Sequence, residues 1–181
     1  SVKIGQIVGE DKFKSFLSKV DILQKTNFDI EEIGTPIKFN WGKCPLATAS
    51  FGHGITTTLL QLAKAYSIIA NGGYNINPTL IKETKKFKKE QILNEEVSKK
   101  ILPILRKIVT TKEGTASLAN VSGYEIGGKT GTAQKSVSGV YTKKKINSFI
   151  SVFPTSKPKF VLAVMLDEPK TNEDYIYHYR D

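Results

Sequence analysis

Six consecutive residues hold most of the chemical potential of this sequence: Gly128-Lys129-Thr130-Gly131-Thr132-Ala133. Laid out as a strand, they let a peptide pair with them main chain to main chain, while Lys129 supplies a fixed positive charge. The hydroxyls of Thr130 and Thr132 suit a carboxylate. A backbone N–H aimed at a scissile carbonyl would complete an oxyanion hole, where one donor is typically worth about 3 to 4 kcal/mol of transition-state stabilisation. Small residues at Gly127, Gly128, Gly131 and Ala133 are expected to let a ligand backbone come close. A second candidate is Gly52-His53-Gly54. Its histidine either lines a cleft and contacts substrate or is a loop histidine satisfied by backbone. Cys44 is the single cysteine and has no second thiol or histidine cluster beside it, so neither an internal disulfide nor a metal site is implied and it reads as a packing residue. His178 is given no role.

The elements that must position these residues show in the hydrophobic periodicity. Phe13, Phe16, Leu17 and Val20 recur at helical spacing and predict a helix from Glu10 to Val20. The stretch from Asp21 to Thr48, punctuated by Gly34, Pro36, Gly42 and Pro45, reads as a long irregular connection with at most a short strand. A helix over Leu59–Ala70 is signed at both ends: Thr58 and Gln61 have capping-box spacing, and Asn71-Gly72-Gly73 tolerates the left-handed end. A further helix is expected over Glu95–Val109, capped by Asn94, with Pro103 bending it or displacing its start. Strands are expected at Tyr124–Thr132, Asn147–Phe153 and Phe160–Leu166, the last two joined by the turn Pro154-Thr155-Ser156-Lys157-Pro158. Helices followed by antiparallel strands point to an α+β fold.

The composition sets outer limits. With 39% hydrophobic and 24% charged residues in 181, the chain is neither disordered nor a membrane bundle. Its longest apolar run, Phe160 to Leu166, is far short of the roughly 20 residues a spanning helix needs. A net charge of +10 favours anionic partners. The basic residues fall in short groups, Lys82, Lys85, Lys86, Lys88 and Lys89 and again Lys143, Lys144 and Lys145, with little aromatic interleaving. Such groups read as solvated surface, and no nucleic-acid partner is implied.

Taken together, several stretches resemble one family. Lys129-Thr130-Gly131 is similar to the third motif of the penicillin-recognising serine enzymes, whose set is Ser-x-x-Lys, Ser-x-Asn and Lys-Thr-Gly. Ser50-Phe51-Gly52-His53-Gly54-Ile55, Thr58-Leu59-Leu60-Gln61-Leu62-Ala63, Tyr66 and Asn71-Gly72-Gly73 resemble a run found in class B penicillin-binding proteins. Glu113-Gly114-Thr115-Ala116, the Tyr124-to-Gln134 strand and Phe160 to Pro169 follow in the same family's order, so the likeness extends from about Ile4 to Pro169. Leu59 departs from it, standing where the family usually has a proline.

The resemblance implies a piece of a penicillin-binding-protein and β-lactamase-like transpeptidase fold, in a bacterial D,D-transpeptidase that cross-links peptidoglycan stem peptides in division or elongation. It implies β-lactams as inhibitors, other cell-wall synthesis proteins as partners, and no cofactor. It also implies the outer, periplasmic face of the cell inner membrane as location, with a membrane anchor outside this chain. Lys129, Thr130 and Gly131 would be the catalytic motif; Thr132, Ala133, Gly52, His53 and Gly54 would bind substrate. Ser-x-Asn does not occur, and Ser-x-x-Lys occurs only as Ser156-Lys157-Pro158-Lys159, in a proline-containing turn after the Lys-Thr-Gly strand, whereas the resemblance implies a nucleophile at a helix start well upstream. Residues 1–181 are therefore expected to be the C-terminal part of a single transpeptidase domain, cut at both ends and inactive alone. A non-catalytic penicillin-recognition-like binding or sensor module is the alternative, and a basic nucleic-acid-binding protein a more distant one.

Overall fold

Two helix starts in this chain, those at Leu59 and Glu95, are fixed by side chains that satisfy free backbone N–H groups. The computed structural model describes residues 1–82, 90–137 and 140–170. Among these residues the order is α1 (Val2–Val8), α2 (Glu10–Lys19), α3 (Lys43–Ala49), α4 (Leu59–Ala70), α5 (Glu95–Thr110), a short 3-10 turn at Ser117–Ala119, then β1 (Gly127–Val137), β2 (Val140–Phe153) and β3 (Phe160–Asp167). The α+β expectation is met: the sheet is antiparallel throughout, in the order β1-β2-β3. Lys85, Lys86, Lys88, Lys89 and the tail from Asp174 to Asp181, with His178, lie outside the described residues.

Both halves of the capping box form at the start of α4. Thr58 Oγ1 accepts from the Gln61 backbone N–H at 3.2 Å, and Gln61 Oε1 accepts from the Thr58 N–H at 2.8 Å. Asn94 caps α5 through the Glu96 N–H at 2.9 Å, with Glu95 and Glu96 in the positive first turn and Lys107 in the last. Pro103 does not displace the start of α5, which runs unbroken through it. The proline lies on the exposed side, where water can take the carbonyl it leaves without an N–H.

Two helices were not legible in the periodicity. α1 has Ile4 and Ile7 exposed, and its tightest approach is at Gly5, where an added Cβ would lie 2.7 Å from Ser50 Cβ. In α3 the residues read as loop punctuation open a helix instead: Gly42 is the N-cap and Pro45 sits in the first turn, where a missing N–H costs nothing. No strand forms between Asp21 and Thr48. β1 starts three residues later than expected and runs on to Val137, and β2 starts at Val140 rather than Asn147. The extension pairs Gln134 with Lys145 and takes in Lys143 and Lys144, residues whose types carry no strand signal.

The core joins α2, the turn after it and α4: Val20, Ile22, Ala65 and Ile68, flanked by Leu17, Leu62 and Ile92. Gln61 is its polar centre and is almost wholly buried. Its side-chain amide donates to the carbonyls of Asp21, Ile22 and Gln24 at 3.0, 3.2 and 2.8 Å. Lys64, one turn on, meets the Asp21 carboxylate at 2.8 Å with both side chains buried. α4 packs on β2 and β3, while α5 packs on β1, so the helical core fixes the sheet. Gln61→Ala is expected to destabilise the folded protein by about 3 kcal/mol, because several buried partners lose their bonds at once. Urea titration would read this as a lower midpoint at unchanged slope; a loss below about 1 kcal/mol would show that the amide is dispensable.

Candidate functional site

The Lys129-Thr130-Gly131 segment lies in the middle of β1 and pairs in register with β2: Lys129 opposite Ile150, Thr130 opposite Phe149, Gly131 opposite Ser148. Among the described residues β1 is an edge strand, paired only with β2. Lys129, Thr132 and Ala133 are exposed, and Thr130 and Gly131 half-buried. An exposed edge of this kind can accept an extended peptide through its unpaired main-chain groups.

The glycines are used differently from one another. A Cβ on Gly127 would fall 2.5 Å from Thr155 Cγ2 and 2.9 Å from the Arg106 backbone nitrogen of α5; one on Gly128 would fall 2.6 Å from the Phe149 ring and 2.7 Å from the Ile150 carbonyl. Both residues are buried. Their smallness therefore lets β1 sit against α5 and lets Phe149 lie across the strand, and the space expected for a ligand backbone at these two positions is filled from within. A Cβ on Gly131 would come within 2.6 Å of the Ser148 hydroxyl. The accessible part of the motif begins at Lys129.

Lys129 folds its ammonium back along the strand, donating to the Thr130 carbonyl at 2.8 Å and approaching Thr130 Oγ1 at 3.5 Å. Thr130 Oγ1 donates in turn to Thr115 Oγ1 at 2.9 Å. Thr115 follows the C-terminal end of α5, and Gly114 makes its approach possible: a side chain there would collide with the Ile108 carbonyl. Fifteen positions separate Thr115 from Thr130, so no local signal in the sequence shows that it meets the motif. At the far end of the strand Lys135 bonds Asp167 at 2.9 Å and Glu168 at 2.9 Å. Those bonds, to Asp167 first and then Glu168, raise the Lys135 pKa above the usual lysine value.

Gly52 and Gly54 both have φ of 85°, a left-handed conformation that L side chains rarely adopt. Between them the His53 N–H donates to the Thr48 carbonyl at 3.1 Å. The His53 ring lies against Tyr141 of β2 with centroids 4.7 Å apart, and Phe51 stacks with it at 6.1 Å. The loop thus meets the β1–β2 hairpin through an aromatic contact, while the recorded partners of the Lys129 ammonium are the two oxygens of Thr130. Tyr141 was not among the expected site residues. No cluster of potential metal ligands occurs among the described residues.

The chain as a whole has known relatives. Residues 1–180 match the family described as penicillin binding protein transpeptidase domain. The chain belongs to that family. Stage V sporulation protein D of Bacillus subtilis is 37% identical over 93% of this chain and 28% of its own length. A probable peptidoglycan D,D-transpeptidase, PenA of Neisseria flavescens, is 35% identical over 75% of this chain and 34% of its own. The chain thus spans about a third or less of the curated relatives it matches here. The crystal structure of penicillin-binding protein 3 from Mycobacterium tuberculosis complexed with aztreonam superposes with a TM-score of 0.85 at 25% identity, over 93% of this chain and 42% of that one. The class B penicillin-binding-protein resemblance drawn from the motifs is borne out, and with it the fold. Within this transpeptidase unit, Gly127→Ala is expected to lower stability by about 1 to 3 kcal/mol by forcing β1 off α5. Thermal denaturation checks this; an unchanged melting temperature would show that the strand has room to shift.

Proposed function

We propose that this chain supplies the substrate-aligning strand of a serine-type peptidoglycan D,D-transpeptidase whose nucleophile lies in sequence outside these 181 residues. The observation that carries the reading is the exposed edge strand β1, with Lys129, Thr130 and Thr132 on its accessible stretch, inside a fold shared with a protein solved with aztreonam bound. The coverage of only 42% of that solved chain supports treating residues 1–181 as part of a larger transpeptidase domain.

In this reading a D-alanyl-D-alanine stem peptide lies antiparallel to β1. Lys129 holds the hydroxyl of a Ser-x-Asn motif and the substrate carboxylate, Thr130 and Thr132 take that carboxylate, and the Thr132 N–H points to the developing oxyanion. Gly131 keeps the strand narrow between the two threonines, and Ala133 continues the exposed edge. A serine, deprotonated by a lysine one helical turn away, attacks the penultimate D-alanine carbonyl. The terminal D-alanine leaves with the proton, and the acyl group passes to an amine of a neighbouring stem peptide. β-Lactams enter the same groove and stay on the serine. The reading also gives Gly52, His53 and Gly54 a part in substrate binding, and the contact of His53 with Tyr141, which holds that loop against the hairpin, supports it.

The reading places the parent protein at the outer, periplasmic face of the inner membrane, alongside other cell-wall synthesis proteins. No helix among the described residues is long and apolar enough to cross a membrane, and the anchor is assigned to sequence outside this chain. A fluorescent penicillin tests the proposal. Residues 1–181 alone are expected to take up no label, whereas the full-length protein is labelled, and Lys129→Ala in the full-length protein slows labelling by at least about a hundredfold. Covalent label on residues 1–181 alone, or K129A labelling at the parental rate, would sink the reading.

A further inference from the structure

Thr115 is exposed and packs into no core, yet its hydroxyl is 2.9 Å from that of Thr130. Its placement there is enforced. α5 ends at Thr110, the Gly114 N–H donates to the Thr111 carbonyl at 3.0 Å, and the lack of a side chain at Gly114 lets the loop pass close to the Ile108 carbonyl. The Lys129 ammonium is 3.5 Å from the same oxygen. Thr130 Oγ1 is thus held between a cation and a neutral hydroxyl.

A hydroxyl has one proton and two acceptor lone pairs, so a pair of hydroxyls can reverse the direction of its hydrogen bond without moving heavy atoms. In the present sense Thr130 donates to Thr115, and its proton is engaged. In the reversed sense Thr115 donates to Thr130, whose proton is then free for an incoming carboxylate, and the donated bond polarises Thr130 into a stronger donor. In either sense at least one lone pair of Thr130 Oγ1 remains for the Lys129 ammonium, so the reversal does not cost that contact.

We propose that Thr115 is a positioning residue for the substrate carboxylate: it fixes the Thr130 side chain and feeds it a hydrogen bond when the carboxylate arrives. This rests on the D,D-transpeptidase reading and adds to it a group from outside the Lys-Thr-Gly motif.

The test uses the full-length protein and benzylpenicillin, following acylation by stopped flow. Thr115→Val is expected to weaken the acylation efficiency about five- to tenfold, the size of one lost hydrogen bond, through the binding constant rather than the acylation rate constant. Thr115→Ser recovers most of the loss. In a Thr130→Val background the further change T115V has no effect, because the partner it serves is gone. Melting temperatures of all variants are measured beside the kinetics, and Thr115→Ala replaces the valine variant should that fold poorly. Parental efficiency in T115V, an equal loss in T115S, or the same cost of T115V with and without Thr130 would each overturn the proposal. Failure of the unmodified full-length protein to acylate would instead overturn the transpeptidase reading, so the two are separable.

Discussion

The structure depends on a polar interaction in an apolar place. Gln61 shares two amide hydrogens among three carbonyls of the segment Asp21 to Gln24 and accepts from Thr57 and Thr58 with its oxygen. Nearly every hydrogen-bonding position of that side chain is filled, which is the condition for burying an amide without a net cost. The neighbouring pair Lys64–Asp21 has the same character, two desolvated charges at 2.8 Å, with Gln24 also bonded to the Asp21 carboxylate. Breaking either side of such a pair leaves an uncompensated buried charge, so its worth lies in fixing one arrangement more than in added stability. That arrangement sets the left-handed turn at Asp21, with φ of 67°, and so the angle at which the chain leaves α2.

From there the constraint passes to the sheet. α4 carries the hub on one side and packs against β2 and β3 on another, while α5 presses on β1 at Gly127. Arg106 of α5 donates to the Ile126 carbonyl at 2.7 Å, holding the residue just ahead of β1. On the same approach, Glu125 accepts from the Ser156 N–H and hydroxyl, which tie it to the turn after β2 and keep its carboxyl below the usual glutamate range. Lys129 therefore starts two residues beyond a point anchored from three directions. An edge strand placed so firmly can offer its outer side to a ligand without losing its own register, and pre-placed donors lose little on binding.

How much of this the residues disclosed depends on whether the signal was local. The capping box at Thr58 and Gln61, the Asn94 cap and the apolar, β-branched run Phe160 to Leu166 are contained within a few residues each, and α4, α5 and β3 stand within a residue of where they were expected. α1 and α3 failed because their stabilisation is tertiary: α1 leans on Ser50 through Gly5, and α3 opens with glycine and proline, residues that usually signal loops. The outer half of the β1–β2 hairpin failed because lysines and serines carry no strand preference of their own. At the site, Lys129, Thr130 and Thr132 were legible from type and spacing. Thr115 and Tyr141 were not, since what makes them relevant is a partner on another element. His53 was legible as a candidate, but its aromatic partner was not.

The two faces of the sheet show how the strand and the rest of such a domain divide the work. Ile150 and Val152 of β2 point into the helical side and are buried. On β3, Phe160, Leu162, Val164 and Leu166 alternate onto one face and remain exposed, with Leu162 half accessible. Exposed stripes of that size rarely stay uncovered in a soluble protein. The matched solved chain extends well beyond the 42% covered here, so material to cover the stripe exists in that relative. Cover on this face would leave β1 accessible, because its outer edge lies at the opposite side of the sheet from β3. The geometry thus sets the exposed apolar stripe of β3 apart from the free outer edge of β1.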